Sequence, residues 1–110
     1  MELKTDKLEN ALIVGIKGRM DAVTAPEFEK ECSTWIEKGE LAFVVDLGEL
    51  EYISSAGLRS ILLTAKKLKS QKGQICFCCP SGMVEKVFSI SGFSSMFSMY
   101  GSREEALSHL

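Results

Sequence analysis

The chain has 110 residues, of which 45% are hydrophobic and 25% charged, and its formal net charge is −2 at pH 7. This length matches the commonest size of a single domain and is too short for two separate cores. The weak negative charge and the lack of an apolar run of about 20 residues argue against nucleic acid and membrane as partners, and the polar N-terminus, without a secretory signal, predicts a cytoplasmic chain.

Two strands and a loop are predicted at the start of the chain. Residues 11–17 (ALIVGIK) predict a strand, because apolar side chains at every second position from Leu12 would share one face. Residues 2–7 would pair with this strand, and residues 18–23 are predicted to be a loop. The opening hairpin would therefore add an antiparallel edge to the sheet.

A helix is predicted to follow this loop. Thr24 is its expected N-cap, Glu27 completes a capping box, and Pro26 fits the first turn. Gly39 marks the end of the helix. Four residues recur at helical spacing and form the stripe expected to face the core: Phe28, Cys32, Trp35 and Ile36.

The middle of the chain predicts a buried strand and a second helix. Residues 41–47 (LAFVVDL) form an almost continuous apolar run, which is typical of a central strand covered on both faces. Residues 48–55 would then cross the end of the sheet. Residues 55–70 predict a helix with its apolar face at Leu58, Ile61, Leu62, Ala65 and Leu68. Four lysines near its end predict a solvated face: Lys66, Lys67, Lys69 and Lys72.

The last third of the chain continues the alternation of strands and helices. Residues 74–79 predict a strand, and Pro80 opens a third helix that stops before Gly92. Its inward residues would be Met83, Val84, Val87 and Phe88. Residues 95–100 (SMFSMY) predict a short strand, and a capping box opens a final helix over residues 102–110.

The predicted order is therefore β-β-α-β-α-β-α-β-α within one α/β domain that covers residues 1–110. Strands that alternate with helices imply parallel pairs joined by right-handed crossovers. Together with the opening hairpin, this predicts a mixed β-sheet with helices packed on it.

Four cysteines are present, and three of them crowd into the run ICFCC as Cys76, Cys78 and Cys79. Their spacing matches neither a paired zinc motif nor a disulfide framework. We therefore expect these three residues to pack as small hydrophobic side chains, with no bound metal or cofactor. A metal or redox role is the alternative, which a zinc assay on the reduced protein would test.

The most informative segment leaves the central strand and enters the second helix. Ser54 or Ser55 is the natural N-cap, and Ala56 and Gly57 are small enough for another group to approach the helix start. Free N–H groups and the helix dipole favour negative charge at this end. A serine pair before an apolar helix is also consistent with a simple cap.

A serine hydrolase would need a base near the serine. The only histidine, His109, is the second-last residue of the chain, and residues 52–57 (YISSAG) lack the first glycine of a G-x-S-x-G elbow. Phosphate-binding motifs such as a Walker loop are also absent. We therefore expect a protein that is not an enzyme.

Four segments resemble the STAS domains of anti-sigma factor antagonists. Residues 52–58 (YISSAGL) resemble the phosphorylation loop of that family, and residues 18–26 (GRMDAVTAP) resemble its G-x-L/I-D-x-x-T-A loop. Residues 45–47 (VDL) resemble the strand before the phosphorylation loop. Residues 87–93 (VFSISGF) resemble the L-F-x-x-S/T-G-L/F segment. The similarity spans nearly the whole chain, and the family has the same order of strands and helices.

The resemblance implies a partner-switching protein. Such an antagonist binds an anti-sigma factor that is also a serine kinase of the GHKL type, is phosphorylated by it, and is restored by a PP2C-type phosphatase. By position in the motif, the phosphorylated residue would be Ser55. The surrounding partner-binding surface would comprise Asp21, Ser54, Ala56, Gly57 and Leu58.

Two positions depart from the family motif. Ser54 occupies the place of the acidic residue before the phosphorylated one, and Ala56 follows where a serine or threonine is frequent. Two alternatives therefore stay open. Ser54 is a rival acceptor, and the chain could instead be an unphosphorylated STAS module of a signalling or lipid-transport complex.

Overall fold

The chain alternates strands and helices in the predicted order, with one added helix. The structure is a computed structural model that describes residues 1–110. Its elements are β1 (Glu2–Lys7), β2 (Leu12–Met20), α1 (Ala25–Glu37), β3 (Ala42–Ile53), α2 (Ser55–Ser70), β4 (Gln74–Cys78), α3 (Gly82–Ile90), α4 (Phe93–Met96), β5 (Ser98–Tyr100) and α5 (Arg103–Ser108).

The five strands form one mixed sheet in the order β1-β2-β3-β4-β5. β1 pairs antiparallel with β2, and every other neighbouring pair is parallel. Parallel neighbours require crossover connections, and these are supplied here by helices. The predicted mixed α/β sheet is therefore confirmed.

β2 and β3 extend further than the sequence predicts. Residues 18–20 were expected in a loop and residues 48–53 in a crossing, yet both segments are strand. The two strands pair as far as Met20 and Ile53. The register of this pairing shifts twice, between Gly15 and Lys17 and between Gly18 and Arg19. These irregularities allow the ladder to continue where β4 has already ended, and such long-range pairing leaves no local signal in the sequence.

The segment after α3 also differs from the prediction. A strand was expected over residues 95–100, but Phe93–Met96 form the short helix α4 and only Ser98–Tyr100 form β5. Gly92 has φ of +85°, which a glycine adopts without strain, and it turns the chain from α3 into α4. Met83 was expected to face the core, but it is 45% exposed.

The sheet is covered by four helices on one face and by α5 on the other. Alternate residues of β3 divide between the faces: Phe43, Val45 and Leu47 join the main core cluster, while Val44 joins a smaller one with Ala106 of α5. The continuous apolar run of β3 therefore fills both faces of a central strand, as predicted.

The cysteines of β4 lie in the smaller core cluster. Cys76 and Cys78 are buried there, and Cys79 packs against them with a φ of +60° at the end of the strand. Burial raises the pKa of the Cys76 and Cys78 thiols, because a low-dielectric environment disfavours the thiolate. The Cys76 and Cys78 side chains therefore occupy packing positions as protonated thiols.

Candidate functional site

The first turn of α2 begins directly where β3 ends. Ser54 is its N-cap, with extended backbone angles, and its Oγ accepts a hydrogen bond from the Gly57 N–H at 3.3 Å. Ser55 is the first helical residue, is exposed, and its hydroxyl makes no hydrogen bond to another residue of the chain. The structure therefore divides the serine pair into a structural Ser54 and an available Ser55.

Gly57 brings the end of β2 against this helix start. A side-chain Cβ at position 57 would lie 2.9 Å from the Met20 carbonyl oxygen and 2.7 Å from Ile53 Cγ1. The Ser54 N–H donates to the same Met20 oxygen at 2.9 Å. Gly57 is thus buried and permits a close approach that any larger residue would obstruct.

The segment that follows β2 is held by Asp21. Its Oδ1 accepts from the backbone N–H groups of Val23 at 3.0 Å and Thr24 at 3.1 Å. Hydrogen bonds to the ionised carboxylate, above all from the Thr24 N–H, lower the pKa of Asp21. An ionised carboxylate therefore lies at the surface of this turn.

The predicted capping box at Thr24 is wrong. Thr24 precedes α1 but makes no side-chain cap, because its hydroxyl donates to the Arg19 carbonyl at 2.9 Å and accepts from the Asp21 N–H at 2.9 Å. The threonine thus stabilises the turn before the helix instead of the first turn of the helix. In this turn Val23 is left 85% exposed.

These segments form one surface, which we call the Ser55 surface: residues 21–24 and the first turn of α2, residues 54–58. The close contacts of Met20 with Ser54 and Gly57 join the two segments. Ala56 and Leu58 are half-buried, and Leu58 packs against the main core cluster. Of the predicted partner-binding residues, Gly57 acts through packing, whereas Asp21, Ser54 and Ala56 keep exposed area beside Ser55.

Sequence reasoning missed a cation beside this surface. The Arg19 guanidinium lies 4.1 Å from the centre of the Tyr52 ring, on neighbouring strands that pair these two residues. Such a contact is attractive because the ring face is negative. The aromatic residue of the YISSAGL motif therefore orients an arginine two positions before Asp21.

A second set of polar side chains lies where the pairing of β3 with β4 ends. We call this set the Asp46 cluster, and it comprises Asp46, Cys78, Cys79 and Arg103. Asp46 Oδ2 accepts from Arg103 Nε at 2.6 Å, and Oδ1 accepts from the Gly48 N–H at 2.8 Å. One donor atom from each of Asp46, Cys78 and Cys79 lies within 4.8 Å of the other two. A metal cation at this point would meet the positive Arg103 guanidinium, so the geometry favours an ion pair that ties α5 to β3.

His109 lies at the end of α5, on the opposite face of the sheet from α2. Its ring stacks on Tyr100 with the centroids 4.8 Å apart, and Nδ1 lies 2.9 Å from the Glu105 carbonyl oxygen. The structure therefore does not bring the histidine together with Ser55.

No helix is both long and apolar enough to traverse a lipid bilayer.

The fold and the Ser55 surface define a small α/β domain in which Ser55 is exposed and without a hydrogen bond at the start of α2. Residues 2–106 match the model of the STAS domain family. A relative from Bordetella bronchiseptica, described as a candidate anti-sigma factor antagonist (BtrV), is 43% identical over 106 residues, which cover 96% of this chain and 91% of the relative. The chain belongs to the STAS domain family.

Solved structures share the whole fold. A candidate anti-sigma factor antagonist from Thermotoga maritima superposes with a TM-score of 0.91 at 21% identity, over 97% of this chain and 92% of that one. The Bacillus cell fate determinant SpoIIAA in its phosphorylated form gives a TM-score of 0.78 at 21% identity, over 98% of each chain. The resemblance seen in the sequence is therefore confirmed at the level of family and fold.

Proposed function

We propose that this chain is an anti-sigma factor antagonist that binds its partner through the Ser55 surface and is switched off by phosphorylation of Ser55. The observation that carries the proposal is the exposed Ser55 hydroxyl, which is free of hydrogen bonds while its neighbour Ser54 caps the helix. The description of the Bordetella relative as a candidate anti-sigma factor antagonist supports the same function.

The position of Ser55 suits a phosphate that leaves the fold unchanged. Ser55 is the first residue of a 16-residue helix, where the free N–H groups and the helix dipole stabilise negative charge. A phosphoserine carries about −1.5 to −2 charges at neutral pH. The added charge is therefore tolerated within the chain, and its effect falls on whatever contacts the helix start.

The phosphate would act as a switch by weakening the contact between the Ser55 surface and the partner. The exposed Val23 and the half-buried Ala56 and Leu58 offer apolar area on the Ser55 surface. A partner packed on this area would have to remove water from the phosphate, and burying an unpaired charge costs several kcal/mol. A penalty of about 3 kcal/mol weakens binding about a hundredfold.

The partner we propose is an anti-sigma factor that also acts as a serine kinase of the GHKL type, and the phosphate would be removed by a PP2C-type phosphatase. Both would meet this domain in the cytoplasm, where sigma factors act. The chain itself would perform no catalysis, because a binding protein modified by others needs only an accessible serine. We propose no metal or cofactor, and the cysteines of β4 would serve packing alone.

A second function follows from Ser54. The family's acidic residue is replaced here by a serine whose Oγ is occupied by the Gly57 N–H. Without that acidic charge, a kinase has one contact fewer, and the domain could bind its partner through the same surface without being phosphorylated. This second candidate is an interaction module of a signalling or lipid-transport complex.

Phosphosite mapping tests the proposal. The purified chain is incubated with ATP and a GHKL-type serine kinase that binds it, and its intact mass and fragment masses are measured. We expect one phosphate on Ser55 in wild type and none in Ser55→Ala, whereas Ser54→Ala should still be modified. Phosphate on Ser54 alone would overturn the assignment, and no phosphate with an active kinase would favour the unphosphorylated module.

A further inference from the structure

An apolar groove runs between α2 and the segment that contains α4 and β5, and we call it the α2–α4 groove. Its volume is about 420 Å³, and five of its nine lining residues are hydrophobic: Leu62, Ala65, Ile75, Met96 and Phe97. α4 has four residues and β5 has three, so these two elements are too short to cover the flank of α2. Apolar surface is therefore left in contact with water.

The apolar side chains of the groove are only partly covered: Leu62, Ile75 and Phe97 are half-buried. Met96, which also lines the groove, is 58% exposed. Methionine has an unbranched and adaptable side chain, which suits surfaces that accept varied partners.

The charges at the groove are all of one sign. Lys66 and Lys69 line it, and no acidic residue does, although the chain as a whole has a net charge of −2. Neither lysine forms an ion pair within the chain, whereas Lys7, Lys17 and Arg103 do. Lys69 lies in the last turn of α2, where the helix dipole favours a cation, but Lys66 lies outside that turn.

The spacing of the two lysines indicates the shape of the occupant. Residues three apart lie on the same side of a helix, so Lys66 and Lys69 present two cations about one turn apart on one rim. A helix alongside α2 would place carboxylates from successive turns against both cations. A single fatty-acid carboxylate would engage only one of them.

We propose that the α2–α4 groove docks an acidic amphipathic helix of a partner protein. Apolar side chains at helical spacing would enter the groove against Leu62, Met96 and Phe97, and acidic side chains would pair with Lys66 and Lys69. This is the helix-in-groove mode of recognition, in which apolar anchors provide affinity and charges provide register.

The groove is a second surface, separate from the Ser55 surface. Lys66 lies eleven residues after Ser55 along α2, which is about 16 Å at about 1.5 Å per residue. The proposal therefore does not depend on phosphorylation, and a partner helix in the groove would leave Ser55 free. One domain could thus hold one protein while being switched toward another.

Binding of a labelled model peptide to the full chain tests the proposal. The probe is a helical peptide of about four turns, with leucine on one face and glutamate on the other, and its binding is followed by fluorescence anisotropy. We expect Lys66→Glu with Lys69→Glu to weaken binding at least about tenfold. Lys30→Glu with Lys86→Glu, which makes the same charge change at exposed helical lysines, should alter it less than about twofold.

Nuclear magnetic resonance of the same complex locates the peptide. Peptide-induced shifts at Leu62, Lys66 and Met96 support the proposal. Shifts confined to other faces, equal weakening by both double variants, or equal binding of a peptide with lysine in place of glutamate would overturn it. Laurate that occupies the groove while the acidic peptide does not would also overturn it, in favour of a small anionic amphiphile.

Discussion

The Ser55 surface and the Asp46 cluster both lie where strands of the sheet end, yet their polar atoms are used differently. In the Asp46 cluster both carboxylate oxygens accept hydrogen bonds, one from Arg103 and one from the Gly48 backbone. On the Ser55 surface, the side chains of Ser54 and Asp21 accept hydrogen bonds from backbone N–H groups. The exposed Ser55 hydroxyl makes no hydrogen bond within the chain. A polar group satisfied within the chain stabilises the fold, whereas one left free is available to a partner.

The largest expected effect is on partner affinity and comes from adding a charge to the free position of the Ser55 surface. We predict that Ser55→Asp lowers affinity for the anti-sigma factor about a hundredfold, because a charge at this point must be buried unpaired in the complex. The melting temperature should hardly change, since negative charge is favourable at a helix start. Calorimetric titration and thermal unfolding measure the two quantities.

The control for this prediction is Ser55→Ala, which removes the hydroxyl without adding charge. It should bind with wild-type affinity and refuse phosphate. Equal affinities of the Ala and Asp variants would show that the partner does not pack on Ser55.

The next effect tests the contact that assembles the Ser55 surface. We predict that Gly57→Ala lowers the free energy of unfolding by about 2–3 kcal/mol, because the added Cβ overlaps the Met20 carbonyl oxygen and must push β2 and α2 apart. Urea denaturation measures the loss. Gly101→Ala is the matched control, since nothing lies within 4 Å of a Cβ at that position, and its effect should be small.

The third effect concerns the Asp46 cluster, where we expect a loss of stability without a loss of partner affinity. We predict that Arg103→Met destabilises the chain by about 1–2 kcal/mol, a value reduced by the partial exposure of the arginine, and leaves partner affinity unchanged. Asp46→Asn keeps an acceptor for the Gly48 N–H and completes a double-mutant cycle with Arg103→Met. A coupling near zero, or a weakened complex, would show that the Asp46 cluster is not a structural tie.

The two regions also differ in how far the sequence predicts them. The start of α2 at Ser54 and Ser55 was predicted from a local signal, a serine pair before an apolar helix, whereas the surrounding partner-binding residues were expected from the resemblance of residues 18–26 and 52–58 to the STAS family. The bounds of α2, Ser55–Ser70, were predicted correctly for the same reason. The Asp46 cluster was missed because Asp46 and Arg103 are 57 positions apart, and only the packing of α5 on the sheet brings them together.

Long-range pairing explains the remaining errors as well. Residues 18–20 and residues 48–53 carry loop-like glycines, and they become strand only because β2 and β3 pair with each other. Thr24 has the sequence of a cap, but the turn held by Asp21 engages its hydroxyl first. Local patterns thus predict elements and caps until a tertiary contact competes for the same atoms.

The smallest expected effect concerns Asp21. This residue is both hydrogen-bonded within the chain and available to a partner. Its Oδ1 satisfies the turn, while its charge faces water beside Ser55. We predict that Asp21→Asn weakens partner binding several-fold and lowers the melting temperature only slightly, because the amide oxygen keeps an acceptor for the turn but the charge is lost. Asp21→Ala should weaken binding similarly and lower the melting temperature further, because it also removes the acceptor. Normal binding by Asp21→Asn, with matched losses of affinity and stability in Asp21→Ala, would show that only the turn matters.

The pH dependence of stability provides an independent test of the same residue. The pKa of Asp21 is lowered in the folded chain, so its ionised form stabilises the fold above the unfolded value of about 3.9. That contribution is lost as pH falls through the lower folded pKa. The difference in melting temperature between wild type and Asp21→Asn should therefore be constant at neutral pH and change only below about pH 4. A difference that changes instead between pH values of about 6 and 8 would assign the titration to another group, because only a histidine or a strongly shifted group titrates there.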